Sequence, residues 1–205
     1  MAKEHPMQAL AAYLPDGSFE QVVAYLHQYK VHLTVTKERK RVLGNYAHLP
    51  SDNIHRITVN GNLNQFEFLI TLLHELAHLL TWVKYQRKAA PHGKEWKQQY
   101  GLLLIDFFIF FPPDVQAVLK TYIHNPAATA NGETALLLAL RQYDKPKRDG
   151  SIMLAHLPQG ARFNYEQNRI FEIIKKRRTR YECVEIATGR RYLFSGIAMV
   201  EPVTT

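Results

Sequence analysis

Three side chains within five residues have the types and spacing to do chemistry together. They are His74, Glu75 and His78, in the stretch TLLHELAHLLTWVKYQRKAAPHGKEW from Thr71 to Trp96. On an α-helix, residues four apart lie about 6 Å apart along the axis and about 40° apart around it, so two imidazoles on successive turns can bind one metal ion. A glutamate beside the ligands but outside the coordination set is placed to take a proton from a metal-activated water. The ordinary alternative is a core helix with hydrogen-bonded histidines and a glutamate at the edge of its buried face. Three polar groups in five residues weigh against it, because each buried polar group costs free energy unless it is paired.

A catalytic zinc usually takes three protein ligands and keeps a fourth position for water. The continuation H-x-x-G-x-x-H is excluded, since Thr81 stands where glycine is needed and Lys84 where histidine is needed. Two candidates remain downstream. Glu95 would serve if the third ligand were a carboxylate on the next helix. His92 is better placed: it follows Pro91, where a helix breaks, and precedes Gly93, which permits unusual backbone angles.

The elements that must position these groups are legible around them. Leu69, Leu72, Leu73, Leu76 and Leu80 follow helical spacing and predict a core stripe. Glu67, Thr71, His74, His78 and Thr81 follow a second, polar stripe, which predicts a wet or metal-bearing face. Upstream, FEQVVAYLHQY (19–29) reads as an amphipathic helix, and VHLTVT (31–36), RVLGNYAHL (41–49) and IHRITVN (54–60) read as strands. Residues 65–85, 94–110, 113–123 and 133–143 read as helices, with Asp114 and Thr134 near two of the starts. IDFFIFF (105–111) is the most apolar run, but Pro112 and Pro113 stop it far short of a membrane span, and it reads as the buried end of a helix.

After DKPKRDGS (144–151), a charged linker, the pattern changes to short strands: IMLAHL, ARFNYE, RIFEIIKK, RYECVEIA, RRYLFSG and IAMVEPV. Asn168 and Thr188-Gly189 supply turns between them. The expected class is α+β, with a first domain over 1–143, a linker over 144–151 and a small basic β unit over 152–205.

H-E-L-A-H at 74–78 and H-G-K-E-W at 92–96, thirteen residues apart, resemble the SprT-like (Spartan-type) metalloprotease domain, whose second helix opens H-G-x-x-F/W. RVLGNY (41–46) and HRITVNGNL (55–63) resemble that family's strands, and the likeness covers roughly residues 15–125. It implies a zincin-like catalytic domain: a small N-terminal sheet, the H-E-x-x-H helix and further helices. It further implies one zinc per chain on His74, His78 and His92, with Glu75 as general base. The better-known members cleave proteins crosslinked or tightly bound to DNA, so the implied partners are a protein substrate and DNA. Many relatives continue into a four-cysteine zinc ribbon. Here YECVEIATGRRYLF (181–194) resembles a ribbon hairpin without its ligands, so the small unit must hold together by packing.

Composition sets the remaining bounds. The 205 residues suffice for one sizeable core and a small second unit, and Cys183 is the lone cysteine, which excludes disulfides within the chain. MAKEHPMQAL lacks an apolar signal region, so a cytoplasmic setting without a membrane segment is expected. Residues 141–191 carry 13 Lys/Arg against 6 Asp/Glu, nearly all of the whole-chain +8. Its focus is KKRRTR, with Lys175, Lys176, Arg177, Arg178 and Arg180. That run reads either as a solvated hairpin end that guards an edge strand or as a phosphate-binding patch. Tyr165, Tyr181, Tyr192 and Phe194 would then be stacking faces, or else the core of the small sheet.

His5, His27, His32, His48, His55, His124 and His156 have no ligand-like neighbours in sequence and read as structural or surface residues. Which side chain, if any, assists at the oxyanion is not readable from the sequence; Tyr46 and Tyr85 are the candidates. The reading is a zinc-dependent endopeptidase. Its rivals are a DNA- or partner-binding protein with a non-catalytic metal site and a metal-dependent hydrolase acting on something other than protein.

Overall fold

A computed structural model describes residues 7–39, 42–49, 54–128, 134–144, 150–166, 168–178 and 180–203. The chain divides into two compact units, Met1–Asp144 and Lys145–Thr205. Of the expected linker, residues 145–149 lie outside the described residues, as does His5.

The first unit is α+β. Helix α1 (Phe19–Gln28) precedes β1 (Val31–Thr36), β2 (Gly44–Leu49) and β3 (Ile54–Asn60). The sheet order is β1-β3-β2, with β1 parallel and β2 antiparallel to β3. Among the described residues β2 therefore pairs on one side only.

Helix α2 (Gln65–Tyr85) starts where Asn64 stops the extended chain. The Asn64 side chain accepts from the N–H groups of Phe66 and Glu67, and its own amide donates to Leu140 O and Asp144 Oδ1. This cap satisfies two orphan donors of the first turn and ties it to α5 (Thr134–Arg141). Helices α3 (Lys94–Asp106) and α4 (Pro113–Tyr122) complete the unit.

Of the two expectations for the polar stripe of α2, a wet or a metal-bearing face, the wet one does not hold. Glu67, Thr71 and Thr81 are buried, as are Leu69, Leu72, Leu73 and Leu76, so most of the helix runs through the core, while Leu80 is half-buried and Val83 is exposed near its end. Sequence periodicity separates apolar from polar faces but does not show which elements cover the polar one. Gln65–Lys88 is long and apolar enough to cross a bilayer, yet it lies mostly buried inside this unit.

IDFFIFF also departs from expectation. Helix α3 ends at Asp106, whose carboxylate accepts from Tyr25 Oη and whose carbonyl accepts from Gln21 Nε2, and a 3-10 turn follows at Phe108–Phe110. Phe107 and Phe111 are buried, but Ile105 and Ile109 face outward.

The second unit is a six-stranded antiparallel sheet. Its strands are β4 (Ile152–Met153), β5 (Arg162–Tyr165), β6 (Arg169–Lys176), β7 (Arg180–Glu185), β8 (Arg191–Ser195) and β9 (Met199–Pro202), in the order β4-β9-β5-β6-β7-β8. Asn168 and Gly189 take left-handed backbone angles (φ 60° and 67°) at the turns that sequence assigned to them. The core is Leu154, Phe163, Phe171, Ile173, Tyr181, Cys183 and Val200, with Tyr165, Tyr192 and Phe194 packed against it. Phe194 meets Phe163, Phe171 and Tyr165 edge-on. The aromatic residues thus hold the sheet together instead of forming a free stacking platform, and no cysteine ligand is needed.

Candidate metal centre

Helix α2 presents His74 and His78 from successive turns. After it the chain reverses. Gln86 takes φ 53°, Gly93 N–H closes a turn on Ala90 O, and His92 itself adopts φ 56°. A non-glycine residue in that region is uncommon and is held only where its surroundings enforce it. The reversal returns His92 to the helix. His92 Nε2 stands 3.0 Å from His78 Nε2 and 3.3 Å from His74 Nε2. These three residues form the candidate metal-binding group among the described residues, with ligand atoms within 4.8 Å of one another.

Trp96 floors the group. Four residues after His92 on the first turn of α3, it is fully buried, with its ring centroid 4.7 Å from those of His74 and His92 and 5.3 Å from that of His78. His74 Nδ1 is buried without a protein partner among the described residues. Packing against Trp96 and Tyr100, at centroid distances of 4.7 and 5.5 Å, therefore fixes that ring.

The arrangement suits a metal. Bonds of about 2.0–2.1 Å in a tetrahedral site place ligand nitrogens about 3.3 Å apart. Burial pushes His74 down to about 3 and His78 to about 4, and lowers His92 as well; the neighbouring imidazoles add to the effect at His74 and His78. At neutral pH the rings are uncharged, the state that ligates a cation. Glu95 is absent from the group and lies beside Lys94, 3.8 Å away.

Glu75 lies against Gly44 of β2. It is buried, and burial raises its carboxyl to about 8, against the opposing pull of the Arg39 guanidinium and a hydrogen bond from the Tyr46 backbone N–H. Arg39 is itself fixed, donating to Asn60 Oδ1, Thr58 Oγ1 and Leu43 O. The Tyr46 ring lies parallel to His78, with centroids 6.5 Å apart. Its hydroxyl is 2.9 Å from His55 Nδ1, and burial holds the phenol well above the ordinary tyrosine value. Tyr85 is elsewhere, at the end of α2 with the Lys84 ammonium over its ring. His55, Arg39 and Gly44 are the neighbours of the site that residue spacing does not disclose. His55 and His48 sit opposite each other in the β2–β3 register.

The basic run of the second unit is largely engaged. Glu182, buried on β7, accepts from Arg177 Nε and Arg191 Nη1 at 2.8 and 2.6 Å and has Lys175 Nζ at 4.0 Å. These hydrogen bonds, Arg177's first, lower its carboxyl. Lys176 lies over the Tyr181 ring. Arg178 and Arg180 are exposed and form no ion pair with the described residues.

Comparison with known proteins singles out the same part of the chain. Residues 10–102 match the SprT-like family. The protein named Protein SprT from Klebsiella pneumoniae subsp. pneumoniae is 60% identical over 35 residues, 17% of this chain and 20% of that protein. Protein SprT from Salmonella arizonae is 75% identical over 24 residues, 12% of this chain and 14% of its own length. The chain thus spans a fifth or less of these relatives in the matched stretches. No solved structure matches.

Proposed function

We propose, on the premise that residues 10–102 belong to the SprT-like family, that the chain is a zinc-dependent endopeptidase with a zincin-like catalytic domain. The observation that carries the reading is the convergence of His74, His78 and His92 through Nε2 next to a buried, unliganded Glu75. Three protein nitrogens leave a tetrahedral ion one open position, which a closed structural site does not. A site that only held the fold would have no use for a carboxylate kept dry beside it.

Zinc, when bound there, supplies a Lewis acid for the scissile carbonyl and for the attacking water. The chain supplies the rest. A cation held by the imidazoles would favour the ionised form of the Glu75 carboxyl, which burial alone raises to about 8. As the carboxylate, Glu75 takes a proton from the water as it attacks and returns it to the departing amide nitrogen. The Tyr46 N–H orients that carboxylate, and Gly44 gives it room. The edge of β2 that has no strand partner among the described residues offers its remaining backbone groups to an extended peptide, the mode by which sheets take up a guest strand.

Protein bound or crosslinked to DNA is the proposed substrate class, with the β6–β7 turn of the second unit as the phosphate contact. Its support is the basic balance of residues 141–191 and the exposure of Arg178 and Arg180. A cytoplasmic setting accords with the lone cysteine.

Glu75→Gln tests the reading. The purified variant should carry zinc as the wild type does, about one ion per chain, and lose roughly 100- to 10,000-fold in cleavage of a DNA-bound protein, because an amide cannot accept the water's proton. Undiminished cleavage sinks the mechanism. Zinc binding by a wild type that cleaves nothing, with or without DNA, would favour a binding protein with a non-catalytic ion.

A further inference from the structure

Tyr46 touches three members of the site at once. Its N–H holds Glu75, its ring lies flat along His78 with planes 3° apart, and its hydroxyl meets His55 Nδ1 at 2.9 Å. It stands on β2, which pairs on one side only among the described residues. We propose that Tyr46 is a catalytic residue whose hydroxyl, oriented by His55, donates a hydrogen bond to the oxyanion that forms at the scissile carbonyl. The inference rests on the endopeptidase reading above and assigns that reaction a donor beyond the ligands and Glu75.

The chemistry needs such a donor. Water oxygen adds to the carbonyl carbon, the C=O π pair moves onto the carbonyl oxygen, and Glu75 holds the water's proton. Tyr46 keeps its own proton and lends only a hydrogen bond to the new oxyanion. The C–N bond then breaks, its pair goes to nitrogen, and the Glu75 proton follows it. A donor that strengthens its bond as charge develops lowers the barrier without tightening substrate binding.

His55 decides whether the phenol is free to act. The ring is buried on β3, so it stays neutral and carries one N–H. If Nδ1 bears the proton, His55 donates to the Tyr46 oxygen and the hydroxyl proton points outward. In the opposite tautomer the hydroxyl proton is spent on His55. His48, tilted against both His55 and Trp82 at centroid distances of 5.0 and 4.8 Å, packs on that ring.

Two measurements test the assignment. In the metal-free full chain, nitrogen-15 spectra of the histidine rings should show His55 protonated at Nδ1, and Tyr46→Phe should shift that ring's resonances. In the zinc-loaded chain, Tyr46→Phe keeps the stacked ring and should keep zinc content and KM while kcat falls about 100-fold. An Nε2-protonated His55, or a variant kcat within about twofold of wild type, overturns the proposal and leaves the endopeptidase reading standing. A zinc-loaded wild type without peptide cleavage overturns that reading itself, and this inference with it.

Discussion

Gly44 faces Glu75 so closely that a methyl group on its Cα would stand 2.7 Å from Glu75 Oε1 and 2.9 Å from Glu75 Cγ. Thr71 Cγ2 would be 2.8 Å away. Strand β2 therefore rides on α2 at a spacing only glycine allows, and that spacing brings the Tyr46 N–H onto the carboxylate.

Gly44→Ala should separate strand and helix. The carboxylate tip can swing, but Cγ and the threonine methyl cannot both give way. Overpacking of this kind costs about 1–3 kcal/mol. Thermal unfolding of the variant should show that loss, and peptide cleavage should fall while zinc content stays at the wild-type level. Unchanged melting and unchanged cleavage would show that β2 lifts without cost.

His78→Ala and His92→Ala should each abolish stoichiometric zinc, read by metal analysis after dialysis. His92 is the sharper case, because it lies on the return loop and its strained backbone has no other evident purpose. Full occupancy in His92→Ala would move the third ligand to Glu95 or beyond.

In the second unit, Glu185 receives hydrogen bonds from Arg169 and Thr188 that hold its carboxyl at about 2, below the ordinary 4.5. The ionised form is thus worth more in the folded state than in the unfolded one. That stability is complete above pH 4.5 and is lost as pH falls toward 2. Arg169→Met should shrink the acid-induced loss of melting temperature over that window. An identical acid profile in the variant would mean that other carboxylates govern it.

DNA affinity, measured by fluorescence anisotropy across salt concentrations, should depend on the two exposed arginines. Each neutralised phosphate adds roughly 0.9 to the slope of log affinity against log salt. Arg178→Ser with Arg180→Ser should lower the slope by nearly two such steps and leave zinc content and melting unchanged. Lys175 and Arg177 are held by Glu182, so serine there should flatten it less. Equal slopes for all variants would reduce KKRRTR to a solubilising turn.

What could be read in advance was local. Helix α2 is expected at 65–85 and is found at Gln65–Tyr85, because leucine spacing is a signal carried by neighbours in the chain; the Asn64 cap that fixes its start emerges only in the structure. His92 was placed from Pro91 and Gly93 by the same kind of signal, and it joins His74 and His78. What could not be read was pairing at a distance. The burial of Glu67, Thr71 and Thr81 depends on elements laid over α2 from far away in sequence. That β3 separates β1 from β2 follows from packing, and the Tyr46–His55 contact follows from a register that pairs Tyr46 with Ile57. The run IDFFIFF read as the buried end of a helix, but the helix ends at Asp106, and Ile105 and Ile109 face outward while Phe107 and Phe111 are buried.

The one-sided pairing of β2 also bears on handling and crowding. Its six residues, GNYAHL, include no lysine or proline to discourage a neighbour, and apart from the Tyr46 N–H held by Glu75 its outer edge has no strand partner among the described residues, so an extended chain of suitable register can pair there. Two copies meeting edge to edge would each mask the other's centre, so specific activity should decline as protein concentration rises, and a peptide substrate in excess should reverse the decline.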